Sequence, residues 1–600
     1  MDKNFILAIS LSLLVLVGSQ YLLQRFAPPP EVPEIIETEG KEIETSKTAP
    51  RANNKPLNAG PRSAPAGSRL FQSGGIETIS ANSENSYLVE TDRFRLSLSN
   101  RGAIVKEWVL KDFRDGNGEA LNLLPLNCEK ADSQVRSNCE EQAKKAGFPL
   151  SLRIEKETEI TEKLKTALFR FDGPPILNFS GSGSVPRKLK FEYSDGIVSV
   201  TKQLTFQADS YEIQIDSNVS INGRPVDHSL LWRGGFGDRT LNNAWAKKYV
   251  ILKSQGDIER LDESDLESRR SMEGNFQTLG LEDHYFAAVF LPAGPNQIRR
   301  ISLGSQGVID YLGEEPLETI LLNIGVYGSG QGVRLFVGPK DTNVLPDALD
   351  GVIDYGWFAF LCRPLLYGLK WTYSVVGNYG VAIILLTIVI NVALFPLRIK
   401  SLKSSKKMQQ FAPKIKEIQA KYKKMKATDP RKQRMQAEVM AFYKEKGVNP
   451  LGGCWPMLIQ MPFFFAFYRL LNASIELRQA PFIFWIKDLS IPDPTYILPI
   501  LMGLSMFQMQ RMTPMPMAGS DPQQAMQAKL MKFMPLMFVF FMIAASSGLV
   551  LYWFTGTLIS ITLQAGWQGH AGGSSSGGVS GFFDWSSGSS GGSDDKSDDK

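Results

Sequence analysis

Polar side chains recur inside the apolar stretches of the second half of this 600-residue chain, and they are the residues whose chemistry needs explaining. Thr387 and Asn391 stand in one stretch, Gln460 and Arg469 in the next, and Ser505 and Gln508 in a third. Tyr552, Trp553, Thr555 and Thr557 stand in the last. Inside lipid such groups are costly unless they face protein or water. Singly, each is explained by hydrogen bonding between helices. Together they can line a wet groove, which would let a hydrophilic stretch of another chain enter a bilayer without meeting lipid tails. Covalent chemistry is not indicated. The stretches hold no histidine or aspartate to act as a base, and no Ser–Lys pair.

Metal and nucleotide chemistry find no support either. The four cysteines (Cys128, Cys139, Cys362, Cys454) form no C-x-x-C, and His228, His284 and His570 lie far apart. A zinc site needs a cluster of such ligands. No G-x-x-x-x-G-K-[ST] loop is present. The expectation is a protein without cofactors that is not an enzyme. A transporter would show paired repeats or several charged intramembrane sites, and Arg469 alone is poor support for one. Cys128 and Cys139 share one polar stretch, where spacing leaves a bonded and a free pair equally open.

The elements that must position these groups follow from composition. Net charge is a modest +5 and charged residues are 21% of the chain, but polarity is strongly segregated. Residues 1–26 hold an apolar run, Phe5 to Leu23, long enough for an uncleaved signal anchor. Residues 27–75 are rich in Pro, Glu, Gly and Ser and read as a tether. Residues 76–345 alternate with period two, as in Phe94–Ser99, Lys188–Tyr193, Ile197–Val200 and Tyr211–Ile215, punctuated by Gly, Asn and Asp. That pattern predicts an all-β sandwich. A carbohydrate or peptide could bind such a domain, but a scaffold without an essential ligand is the preferred reading. Residues 352–375 are aromatic, broken by Arg363, Pro364 and Lys370, and suit a helix lying at the membrane interface.

Apolar segments at 379–397, 455–475, 495–512, 531–545 and 548–565 predict five core spans, six with the N-terminal one. The last two are separated by Ser546-Ser547-Gly548, and their shortness suggests a locally thinned bilayer. Residues 398–446 carry sixteen Lys or Arg against four Asp or Glu, which places this loop in the cytoplasm. The N-terminus and the tail at 566–600 are then cytoplasmic, and the β domain lies outside, in the periplasm of a bacterium. Within the loop, Met408, Phe411, Ile415, Ile418, Tyr422 and Met425 form a heptad seam. Asp429-Pro430 then opens a second helix bearing Met435, Val439 and Phe442, which completes an antiparallel hairpin. Its basic faces can attract polyanions such as ribosomal RNA or anionic headgroups. Met506, Met509, Met512, Met515 and Met517 mark the fourth span and the 513–530 loop. Ordinary core packing explains a methionine stripe more often, but flexible thioethers also suit varied apolar clients.

Several motifs resemble the YidC family of membrane protein insertases. They are Asp354-Tyr355-Gly356-Trp357, Asn449-Pro450-Leu451-Gly452-Gly453-Cys454 with Gln460-Met461-Pro462, and Glu476-Leu477-Arg478-Gln479-Ala480-Pro481-Phe482. Tyr496–Gly503, Phe533-Met534-Pro535 and Ser547–Tyr552 continue the likeness, which is specific over 350–565. The resemblance implies a helical bundle with a hydrophilic groove open to the cytoplasm, insertion of newly made membrane proteins without nucleotide, and action alone or beside the Sec translocon. Ribosome contact is a further expectation. One departure stands out. The family usually places an Arg five residues before the proline ending the second span, and here Pro396 puts Asn391 there. Arg469 is the preferred substitute and Arg398, two turns below Asn391, the alternative.

Overall fold

The computed structural model describes residues 77–126, 128, 133–181, 185–240, 247–266, 270–294, 298–311, 316–328, 332–349, 351–422, 431–447, 455–512 and 533–572. The N-terminal span, the tether, Cys454, Met425, Asp429, Met515, Met517 and the distal tail lie outside them, as does the Met408 side chain.

Alternation becomes strands where it was read. Phe94–Ser99, Arg187–Ser194, Val198–Phe206 and Glu212–Ile221 all form, each turning one face inward. Three sheets result, of five, nine and five strands. Ladders are antiparallel except where Ile176–Asn178 joins Ser86–Glu90 in parallel. One apolar core, including Trp108, Trp232, Phe206, Phe290 and Phe336, serves all three sheets. The domain is not all-β. Helices Ser133–Ala146 and Thr158–Thr166 interrupt the strands. Cys139 on the first of these is disulfide-bonded to Cys128.

A fully buried lysine sits in this domain. Lys202 points inward from Val198–Phe206, and its Nζ donates to the carbonyls of Leu150 (2.6 Å), Ala103 (2.7 Å) and Gly102 (3.4 Å). All three acceptors have positive φ, so tight turns aim their carbonyls at one point. Burial pushes the ammonium down to about 7.

The interfacial helix spans Ala359–Val376 and continues through Pro364. Cys362, Leu365, Leu366 and Leu369 pack inward, while Phe360, Tyr367, Trp371 and Val375 stay exposed along the opposite stripe. Gly377, with φ of +67°, ends it, and Asn378 caps the next helix by accepting from the Val381 amide at 3.0 Å.

The second-span helix is Tyr379–Ala393. The third is Trp455–Ala473, the fourth Ile497–Met512, the fifth Phe533–Met542 and the sixth Ser547–Gly572. Ser546-Ser547-Gly548 does separate the last two. The sixth, however, is not short. It runs past 565, and its Ser547–Gly566 part is the one described helix long and apolar enough by itself to cross a membrane. The shorter apolar helices are the second and the fifth. Phe395–Lys421 begins within the segment read as the second span and packs against Arg431–Glu445 as a hairpin. Its core is Ile415 and Tyr443, flanked by Phe411, Val439 and Phe442. Ile418 and Met435 are also buried, and Tyr422 donates to Glu438 at 2.9 Å.

Candidate functional site: a polar cluster between three helices

Thr387 and Asn391 stand one turn apart on the second helix, so both face the same way, and both are buried. Thr387 satisfies its hydroxyl on the Ile383 carbonyl at 2.6 Å, and Asn391 Nδ2 donates to the Thr387 carbonyl at 2.7 Å. Asn391 Oδ1 has no hydrogen-bond partner among the described residues. The sixth helix meets them at Gly556. A Cβ there would lie 3.7 Å from Gln460 Nε2 and 3.9 Å from the Thr387 methyl. The second, third and sixth helices therefore converge on this point.

Arg398 completes the cluster from the start of the hairpin's first helix. Its Nη2 donates to Gln460 Oε1 at 3.0 Å and its Nη1 to Ser560 Oγ at 2.6 Å. Ser560 in turn donates to the Gly556 carbonyl at 2.6 Å. Half-buried Arg398 has two neutral side-chain partners and no carboxylate among its described contacts. Its charge is solvated by groups that can rotate away. Toward the opposite end of the sixth helix, Tyr552 stacks on Phe467 at 4.2 Å, and Trp553 sits between Phe464 and Phe538, each at 4.7 Å.

Other expected site residues fall elsewhere. Arg469 is exposed, with its Nε 3.8 Å from where a Cβ would stand on Gly356 beside the interfacial helix. The positive group in the cluster is Arg398, not the preferred Arg469. Helix geometry explains this. At 3.6 residues per turn, Arg469 lies about two and a half turns from Gln460 and so on the opposite face. Ser505 is buried but turns its hydroxyl to the Met502 carbonyl at 2.6 Å, and Gln508 is exposed. Met502 and Met506 are packed in the bundle core, which removes Met506 from any client-facing surface. Met509 and Met512 are half-buried, and the Met512 carbonyl accepts from Gln564 at 2.7 Å. Ser560 and Gly556 were missed in the sequence. Their spacing from Tyr552 in steps of four was the available signal.

A β-rich domain is thus joined to a bundle of apolar helices that encloses a buried polar cluster. The model for the 60Kd inner membrane protein family matches residues 371–570, and that for the YidC periplasmic domain matches residues 86–367. A membrane protein insertase YidC from Syntrophus aciditrophicus is 32% identical over 576 residues, covering 94% of this chain and 99% of its own length. One from Wolinella succinogenes is 33% identical, covering 94% of each. One from Helicobacter pylori is 35% identical over 67% of this chain and 72% of its own. A crystal structure described as an active YidC insertase with its first transmembrane domain resolved covers 82% of this chain and 95% of that one, at 18% identity and a TM-score of 0.33. The chain belongs to the YidC family of membrane protein insertases.

Proposed function

We propose that this protein inserts newly made inner-membrane proteins through a hydrated notch built around Thr387, Asn391, Arg398, Gln460 and Ser560. The observation that carries the reading is the polar cluster itself: a cation held by Gln460 and Ser560, and a buried Asn391 acceptor without a partner among the described residues on the neighbouring helix. A client's polar segment can exchange with those side chains at little cost, because each bond lost is replaced in kind. The notch opens to the cytoplasm, since Arg398 begins the basic hairpin and positive loops stay inside. The chain has six spans. The exposed stripe of Phe360, Tyr367 and Trp371 lies in the outer headgroup region, and the disulfide domain lies in the oxidising periplasm. Exposed apolar residues on the fourth and fifth helices, among them Leu504, Phe507, Leu536 and Phe540, form the lipid flank along which a client helix leaves, with Met509 and Met512 at its inner end.

Insertion needs no nucleotide and no covalent step. The energy comes from burying the client's apolar segment, about 25 cal/mol per Å² moved out of water. The Sec translocon, the ribosome and anionic lipids are partners, the last two drawn by the basic hairpin. The test is reconstitution. Purified protein in liposomes should insert a small client with a short polar terminus in the absence of ATP. Solute flux without client insertion would favour a transporter instead.

A further inference from the structure

The outer loop between the third and fourth helices, residues 474–496, is tied at both ends. Toward the β domain, Arg478 pairs with Asp238, and the two side chains are only 3% and 1% exposed. The same guanidinium donates to the Arg114 carbonyl at 2.6 Å and lies over the rings of Phe286 and Tyr285, at 5.2 and 5.7 Å. Asp238 is fixed in turn. Its Oδ1 accepts from the Thr240 amide and hydroxyl at 2.9 and 2.7 Å, and its own amide donates to Asp283 at 2.8 Å. The neighbouring Gln479 has φ of +57°, a conformation that side chains other than glycine rarely adopt. It is held there by bonds from its Nε2 to the carbonyls of Arg114 and Asp115, both 3.0 Å.

Toward the bundle, the loop's carbonyls hold the outer ends of the helices. Asn378 Nδ2 donates to the Phe482 carbonyl at 3.0 Å, at the start of the second helix. The Gly548 and Ser547 amides donate to Leu489 and Ile491 at 2.9 and 2.8 Å, at the start of the sixth. Asp493 accepts from the Leu498 amide at 2.8 Å, at the start of the fourth. The third helix enters the loop directly. A continuous chain of bonds thus runs from the β domain to the helices bearing Asn391, Gln460 and Ser560.

We infer that Arg478 is a positioning residue for insertion, and that its pair with Asp238 latches the β domain to this loop, fixing the outer ends of the helices that form the notch. This rests on the insertase reading. A buried pair is poor evidence of stability, because burying both charges is costly, but it is strongly directional and losing one partner leaves the other uncompensated. Lysine is a poor replacement, since both polar contacts leave from Nη2 and an ammonium placed there lacks the planar guanidinium that lies over Phe286 and Tyr285.

The test compares Arg478→Lys and the double variant Arg478→Gln/Asp238→Asn with wild type, as full-length protein in liposomes. The double variant leaves no buried charge unpaired and keeps an acceptor for Thr240. Initial insertion of a small client and hydrogen exchange of the loop amides are measured together, with wild-type insertion in the same assay securing the insertase reading separately. The latch predicts at least fivefold slower insertion in both variants, faster exchange in residues 474–490, and unchanged exchange in the strands of the β-domain core. Wild-type insertion rates alongside faster loop exchange would overturn it. So would slow insertion in which the β-domain core strands also lose protection, since that is unfolding rather than positioning.

Discussion

Two basic side chains, one in each half of the molecule, are held in opposite ways. Lys202 in the β domain is held by three main-chain carbonyls aimed by the turns at Gly102, Ala103 and Leu150. None of them can leave without unfolding the turn that presents it. Arg398 in the bundle is held by the side chains of Gln460 and Ser560, and Asn391 on the preceding helix keeps an acceptor unused among the described residues. The first arrangement serves architecture, the second exchange. A scaffold fixes its polar groups with backbone, whereas a conduit for other chains needs polar partners that can swap.

The comparison breaks most visibly at Arg398. Replacing it with alanine should slow client insertion at least tenfold in proteoliposomes, while Arg469→Ala should stay within about twofold of wild type. These factors correspond to about 1.4 kcal/mol or more and to a few tenths. Equal losses from both would return the groove charge to Arg469. In the β domain, Lys202→Met leaves three carbonyls without their donor, at about 1–3 kcal/mol for each buried group left unpaired. Urea unfolding followed by near-ultraviolet circular dichroism should show a loss of several kcal/mol, with client insertion affected only through the amount of folded protein.

A pH series sharpens the same contrast. Burial lowers the folded-state Lys202 to about 7, while an unfolded lysine keeps its proton to about 10.4. Between those values the unfolded chain binds more protons, so stability should rise with pH, by at most about 1.4 kcal/mol per unit. The slope should be absent in Lys202→Met. A smaller effect is expected in the hairpin. Tyr422→Phe removes the half-buried hydrogen bond to Glu438 and should cost about 1 kcal/mol in hairpin stability, measured by local hydrogen exchange.

Much of this was legible in the sequence because periodicity and charge report which side faces where. The strands at 94–99 and 198–206 and the seam at Phe411, Ile415 and Ile418 follow directly from spacing. Helix Ser133–Ala146 was not legible. Its sequence, SQVRSNCEEQAKKA, is too polar to show an apolar stripe, and its buried residues among those described are Cys139, Ala143 and Ala146. Tyr443 was missed because the neighbouring Phe442 satisfied the seam. Arg398 was underrated because it stands at the start of the next helix, just past the apolar stretch, where composition does not show that it turns back to Gln460 and Ser560.

The central claim, that polar side chains of three helices enclose water, is tested most directly by cysteine accessibility. Single cysteines at Asn391, Ser560 and the outward-facing Val389, with Cys362 and Cys454 replaced by serine, are treated with a charged, membrane-impermeant maleimide from the cytoplasmic side. Labelling is expected at 391 and 560 within about tenfold of an exposed hairpin cysteine, and none at 389. If 391 and 560 are as unreactive as 389, the helices are sealed and the notch does not exist.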